Sequence, residues 1–148
     1  MNKLIIANAS GFFGDRFTAP AEMVRGGEIH VLTGDYLAEL TMAILSRQKQ
    51  ADPQKGYAST FPKQIKGILA ECMAQGIKIV SNAGGMNPHA LGDVLKALAA
   101  EQNLAPRIAI ITGDDIHPRL EELQAFCTLV FTNCHASLTA GPTRTIHG

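Results

Sequence analysis

The sequence predicts an α/β fold, a three-layer Rossmann-like sandwich with a mostly parallel sheet of four to five strands and helices on both faces. Three observations carry this. Apolar runs of strand length alternate with stretches of helical periodicity along the chain. The runs are continuously apolar, as in strands covered on both faces. Each run also ends in a turn rich in Gly, Asn, Asp or Ser from which a helix leaves, which is where α/β folds place their sites.

Size and composition narrow the function classes. A chain of 148 residues fits one ordinary domain. It is too short for an eight-stranded barrel of about 250 residues. With 46% hydrophobic residues, 5% aromatics and no Trp, the core is aliphatic. Zero net charge argues against nucleic acid or an anionic membrane as partner, since both select basic patches. It also limits solubility, which points to a homo-oligomer or a partner subunit. Cys72, Cys127 and Cys134 are odd in number and widely spaced, so they read as reduced thiols of a cytosolic protein. Cys127, Cys134, His135 and His147 lack zinc spacing, and no metal ligand set is expected. The run Leu4–Ala7 is too short for a signal peptide, and no run reaches the ~18 apolar residues of a membrane helix. A soluble, cytoplasmic protein is expected.

The elements follow in order. Leu4–Ala7 is the first strand, and Asn8-Ala9-Ser10-Gly11-Phe12-Phe13-Gly14-Asp15-Arg16 is its loop, with neither a dinucleotide fingerprint nor a P-loop. The bland reading of that loop packs Phe12 and Phe13 inward. Pro20 and Glu22 mark the first turn of a short helix ended by Gly26-Gly27. Ile29–Leu32 is the second strand. It runs into Thr33-Gly34-Asp35-Tyr36 and a helix with Leu37, Leu40, Ile44 and Leu45 as its buried stripe. Asp35 is a plausible N-cap there, and Glu39 lies one turn on.

After a polar loop at residues 46–56, a long helix carries the stripe Ile65, Ile68, Leu69, Cys72 and Met73, with Gly76 at C′. Ile77–Val80 is the third strand. In its loop, Asn82-Ala83-Gly84-Gly85, the glycine pair has two readings: backbone N–H groups that hold an anion, or a turn that needs positive φ. Asn87 as N-cap and Pro88 at N1 start the next helix, whose buried face is Leu91, Val94, Leu95 and Leu98. Ile108–Ile111 is a fourth strand, ending in Thr112-Gly113-Asp114-Asp115, and Pro118 opens a further helix. Phe126–Phe131 is a possible fifth strand.

Parallel strands bring these loops to one sheet edge. Asn8, Ser10, Asp15, Asp35, Tyr36, Asn82 and Asp114 would line a common crevice. Asp35 and Asp15 are the candidate catalytic carboxylates, as general base or metal ligand. Asn8, Ser10, Tyr36, Glu39, Asn82, Gly84, Gly85 and Asp114 are the candidate ligand-binding residues. The cofactor is unknown.

The loop from Asn8 to Arg16, the segment Leu32–Met42 and the segment Ile79–Pro88, together with Gly113-Asp114-Asp115, resemble the N-terminal domain of the acyclic terpene utilisation (AtuA-type) family. The resemblance runs over about residues 4–125. It implies a cytoplasmic protein of terpenoid or acyl catabolism acting on a small carboxylated or CoA-linked compound, with the reaction unassigned. It also implies a truncated form, because family members run longer, and it divides the chain into an α/β domain over 1–125 and a divergent segment over 126–148. Two functions compete. One is an enzyme, with Asp35 or Asp15 as base. The other is a non-catalytic binding or assembly subunit, or an inactive fragment of a longer protein.

Overall fold

The computed structural model describes residues 3–126. These fall into two compact units, one ending at Thr112 and one starting at Gly113, each described by itself.

The first unit is built on an open parallel sheet of three strands in the order β1 (Ile6–Asn8), β2 (Val31–Gly34) and β3 (Lys78–Ser81). Each strand ends one or two residues later than the apolar run that announced it. Asn8, Thr33, Gly34 and Ser81 are therefore ladder residues. The side chains of Asn8, Thr33 and Ser81 are thus carried by paired strand backbone.

The register sorts the strands into two faces, because successive side chains alternate. Ala7, Leu32 and Ile79 are aligned across the sheet. Leu32 is buried in the core cluster, and Ala7 and Ile79 pack against it. The cover comes from α1 (Ala19–Arg25), α3 (Thr60–Lys66), α4 (Leu69–Gln75) and α5 (Pro88–Glu101), whose buried side chains join the same cluster. Cys72 lies within it, and burial pushes its thiol up to about 11, as for an unreactive core residue.

The other face, with Ile6, Val31 and Lys78 in one row and Asn8, Thr33 and Val80 in the next, is open. Ile6 and Val80 are each 58% exposed. Topology explains this. In a sheet that grows in one direction only, right-handed crossovers put every connecting helix on the same side. Helices on both faces, expected from the continuously apolar strands, require the strand order to reverse. Among the described residues it does not.

The fourth expected strand is also absent from the ladder. Residues 108–111 form no strand, and Ile111 is 90% exposed. This stretch instead runs close to α5, where Gly92 leaves room for Ile110: a Cβ on Gly92 would come within 2.6 Å of the Ile110 Cδ1. The sheet therefore has three described strands rather than four to five. The Phe126–Phe131 strand, Cys127, Cys134, His135 and His147 lie outside the described residues, apart from Phe126 at the end of α6.

Helix boundaries follow local chemistry with two exceptions. Asn87 caps α5 by accepting the Ala90 N–H at 3.3 Å, and Pro88 takes the first position, as expected. Gly76 ends α4 in the left-handed region. The long helix expected to carry the stripe from Ile65 to Met73, however, breaks at Gly67-Ile68 into α3 and α4, and Met73 turns outward. The larger departure is α2 (Glu39–Ala51), which stands apart from the core cluster. Leu45 is fully buried, but Leu40 is 74% exposed and Ile44 is exposed too. Of the stripe read from Leu37 to Leu45 only Leu45 is buried, and Thr41 is the other buried residue of α2.

The second unit, as far as described, holds a 3-10 turn (His117–Arg119) and α6 (Leu120–Phe126). Arg119 donates two hydrogen bonds to the Glu122 carboxylate, at 3.0 and 2.7 Å. No helix of the described residues is long and apolar enough to cross a membrane.

Candidate functional site

Parallel pairing brings the loops that follow β1, β2 and β3 to one edge, and hydrogen bonds join them there. The β1 and β2 loops meet first. The Asp35 N–H donates to the Ser10 carbonyl at 2.9 Å, and the Asn8 Nδ2 donates to the same oxygen at 3.0 Å. Thr33 donates its hydroxyl to the Asn8 Oδ1 at 3.1 Å, which fixes the orientation of that amide. Ser10 is buried and donates to the Phe12 carbonyl at 3.1 Å.

The β2 and β3 loops are joined by Asn82. Its Oδ1 accepts the Tyr36 N–H at 2.8 Å, and its Nδ2 donates to the Asp35 Oδ1 at 2.7 Å. The Leu37 N–H donates to the same Asp35 oxygen at 3.3 Å. Asp35 is therefore not a helix cap. The residue preceding α2 is Ala38, which makes no side-chain cap, and the Asp35 carboxylate closes a local turn two residues on. Both of its contacts fall on Oδ1 and both donors are neutral. The carboxylate is oriented, exposed and not neutralised by those donors. Ser81 adds a second tie between the strands, donating to the Gly34 carbonyl at 2.9 Å.

Asp15 is different. Its Oδ2 accepts the Gly11 N–H at 2.9 Å and its Oδ1 accepts the Arg16 N–H at 2.6 Å. Those backbone donors hold its carboxyl below the usual carboxylate range. A weakly basic carboxylate with both oxygens engaged is a brace for the β1 loop and a poor proton acceptor at neutral pH. A carboxyl lowered in the folded state contributes stability above its unfolded-state pKa, and that contribution is lost as pH falls through the folded value. Asp15→Asn is thus expected to lower Tm at neutral pH, with the gap to wild type closing as pH falls through and below the ordinary carboxylate range. Thermal unfolding across pH checks this, and a gap independent of pH would contradict it.

Tyr36 is only 2% exposed. Its phenol donates to the Gln64 Oε1 at 2.7 Å, and its ring meets Phe61 edge-on at 5.4 Å between centroids. Burial pushes the phenol above its ordinary value. Tyr36 is the floor of the site rather than its mouth. Glu39 is exposed in the first turn of α2.

The glycine loop is tightly packed, and four of its N–H groups are already bonded within the protein. The N–H groups of Ala83, Gly85, Met86 and Asn87 are engaged by the Ser81 hydroxyl and by the carbonyls of Asn82, Gly56 and Gly84. Close packing calls for the glycines themselves. A Cβ on Gly84 would lie 2.8 Å from the Pro88 Cβ, and one on Gly85, at φ +49°, would lie 2.4 Å from the Leu45 Cδ1. Lys49 donates to the Met86 carbonyl at 2.6 Å, and Asn87 donates to the carbonyls of Pro53 and Lys55, each at 2.8 Å. The loop is thereby locked from outside. Asp114 belongs to the second unit, after Gly113 at φ +123°.

Three contributors were not among the candidate site residues: Thr33, Ser81 and Gln64. The first two lay just past the apolar runs. Gln64 had a readable signal, because it falls on the helical face shared by Phe61, Ile65 and Ile68, where an unpaired amide would be costly. Among the described residues no group of three or more His, Cys, Asp or Glu could hold a metal ion.

Residues 4–142 match the family described as acyclic terpene utilisation family protein AtuA. The match runs past residue 125, where the resemblance read from the motifs ended. No curated protein and no solved structure matches the chain.

Proposed function

We propose that this chain, which belongs to the acyclic terpene utilisation family, binds a small acyl compound, as free acid or CoA thioester, at the edge where the β1, β2 and β3 loops meet. The observation that carries the proposal is the continuous network from Asn8 through Ser10 and Asp35 to Asn82. It holds one exposed carboxylate in a fixed orientation among neutral donors. Asp35 is the group that accepts a hydrogen bond or proton from an uncharged donor of the ligand, whose own anionic group lies away from Asp35 and Glu39, and the Asn82 amide orients it. Glu39, one helical turn on, adds a second carboxylate at the rim. Asp15 and Tyr36 support the site from within, and Gly84 and Gly85 shape the turn that carries Asn82. Phe12 and Leu40, exposed on segments leaving the same edge, offer apolar surface to a hydrocarbon arm.

Thermal shift and calorimetric titration with branched acyl-CoA thioesters and the free acids test this. A ligand near 100 times its Kd adds about 2.7 kcal/mol, a rise of several degrees in Tm. Asp35→Asn keeps the shape but removes the charge, and is expected to weaken binding about 10- to 100-fold. A Kd within about twofold of wild type, a difference worth under 1 kcal/mol, would rule out the role given to Asp35.

A second reading, a non-catalytic assembly subunit, is favoured by the open sheet face with Leu4, Ile6 and Val80 exposed on it. A three-layer sandwich would be completed if a helical layer covered that face. Sedimentation over a concentration series checks self-association: a monomer at every concentration would remove a homo-oligomer from this reading.

A further inference from the structure

We infer that Gln64 is the positioning residue of this edge, holding the Asp35–Asn82 pair in place through Tyr36. The inference rests on the reading of Asp35 as the ligand-facing group.

Gln64 is 4% exposed on the apolar face of α3. Burying a primary amide is unfavourable unless both of its ends find partners. Both do, and the partners lie on different loops. Oε1 accepts the Tyr36 phenol at 2.7 Å, on the β2 loop, and Nε2 donates to the Arg16 carbonyl at 3.3 Å, on the β1 loop. Tyr36 is the peptide neighbour of Asp35. Its own N–H donates to the Asn82 Oδ1, and the Asn82 Nδ2 in turn donates to Asp35. One side chain beneath the edge therefore reaches two of the three loops directly and the third through Tyr36.

Packing alone does not call for an amide here. An apolar side chain of similar volume would fill the same space, and replacing both members of a buried hydrogen-bonded pair by apolar groups is often close to neutral for stability. What the amide adds is direction. It fixes the rotation of Tyr36, and with it the peptide that carries the Asp35 carboxylate.

The test uses the full chain, labelled for NMR, without ligand. Its outcome is thus separate from the binding result for Asp35→Asn. The variants are Gln64→Met, Tyr36→Phe and the two combined, with Cys72→Ala as a core variant remote from the network. Three readouts are needed: Tm, hydrogen-exchange protection of the residue 36 amide relative to that of Leu32, and the side-chain amide resonances of Asn82, which Gln64 does not touch. Each single variant is expected to lower protection at residue 36 about tenfold more than at Leu32. Each is also expected to shift the Asn82 side-chain resonances, which Cys72→Ala leaves in place. The combined variant should recover much of the lost Tm while the Asn82 resonances stay shifted. A merely structural Gln64 would lower protection equally at both amides, leave the Asn82 resonances unmoved, and overturn the inference. If Gln64→Met fails to fold, Tyr36→Phe carries the same test, since it removes only the hydroxyl that Gln64 binds.

Discussion

Tyr36→Ala is expected to cost about 4 kcal/mol of folding stability, the range for emptying a buried aromatic site. A domain of this size has about 5–15 kcal/mol in all, so the variant should lie near the edge of folding at 37 °C. Three losses coincide. The ring leaves a cavity beside Phe61, its edge-on contact disappears, and Gln64 loses the donor to its Oε1 inside the core. Tyr36→Phe isolates the last of these, at about 1–2 kcal/mol. The phenol also sets an alkaline limit. Burial raises its pKa in the folded state above the ordinary tyrosine value. For such a group the stabilisation is fully present below the unfolded value and is lost as pH rises through the folded one. Wild type should therefore lose stability above about pH 10 through a component that Tyr36→Phe lacks. Denaturant unfolding of the three proteins at neutral and alkaline pH checks the series. An alanine variant within about 1 kcal/mol of wild type would mean that the ring is not the anchor described, since a well-packed site cannot collapse at so little cost.

What the sequence revealed about this site depended on how local the signal was. Asn87-Pro88, Gly76 and the Gly26-Gly27 stop act through their own backbone, and their helix ends lie where expected. Each strand was found, but its end was placed too early, because an apolar run shows where burial stops and not where ladder pairing stops. Asn8 and Ser81 continue the ladder after their side chains have turned polar. The number of strands and their cover were not legible. Ile108–Ile111 has the composition of a strand, yet pairing needs a free neighbouring edge at the right height, which composition does not encode. Helices on both faces were inferred from apolar strands. Cover follows strand order instead, and strand order is a non-local property. The stripe from Leu37 to Leu45 failed for the same reason: periodicity shows that a helix has an apolar side and leaves open what meets it. Of the candidate residues, Asn8, Ser10, Asp35, Tyr36 and Asn82 are joined by hydrogen bonds, while Asp15 serves its own loop. Telling Asp35 from Asp15 required counting which carboxylate oxygens the backbone had already engaged.

Gly85→Ala is the second substitution with a large expected effect, about 2–4 kcal/mol. A left-handed alanine costs about 1–2 kcal/mol, and overpacking a tight contact adds about 1–3. The contact is the Leu45 Cδ1, 2.4 Å from where the new Cβ would stand, with the Gly56 carbonyl oxygen at 3.1 Å behind it. Leu45 is also the most deeply buried side chain of α2, so the clash strikes the main apolar anchor of that helix. Leu45→Ala alone should cost about 2–5 kcal/mol. The two changes share one space, so the double variant should be more stable than the sum of the singles by roughly 1 kcal/mol or more. This coupling tests the packing account of Gly85 without any ligand. The anion reading has its own readout: if Gly85 also let an anion approach the backbone, its replacement would weaken anion binding by more than the lost stability explains, and Leu45 would have no bearing on that loss. In the packing account stability falls, Leu45 governs how far, and the amide groups stay engaged with Asn82, Gly56 and Gly84 as before. Additive losses in Tm across the cycle would mean that backbone strain at Gly85, and not the Leu45 contact, sets the cost. Non-additive losses would make it the hinge by which α2 fixes the height of Asn82, three residues upstream, and so the reach of Asp35.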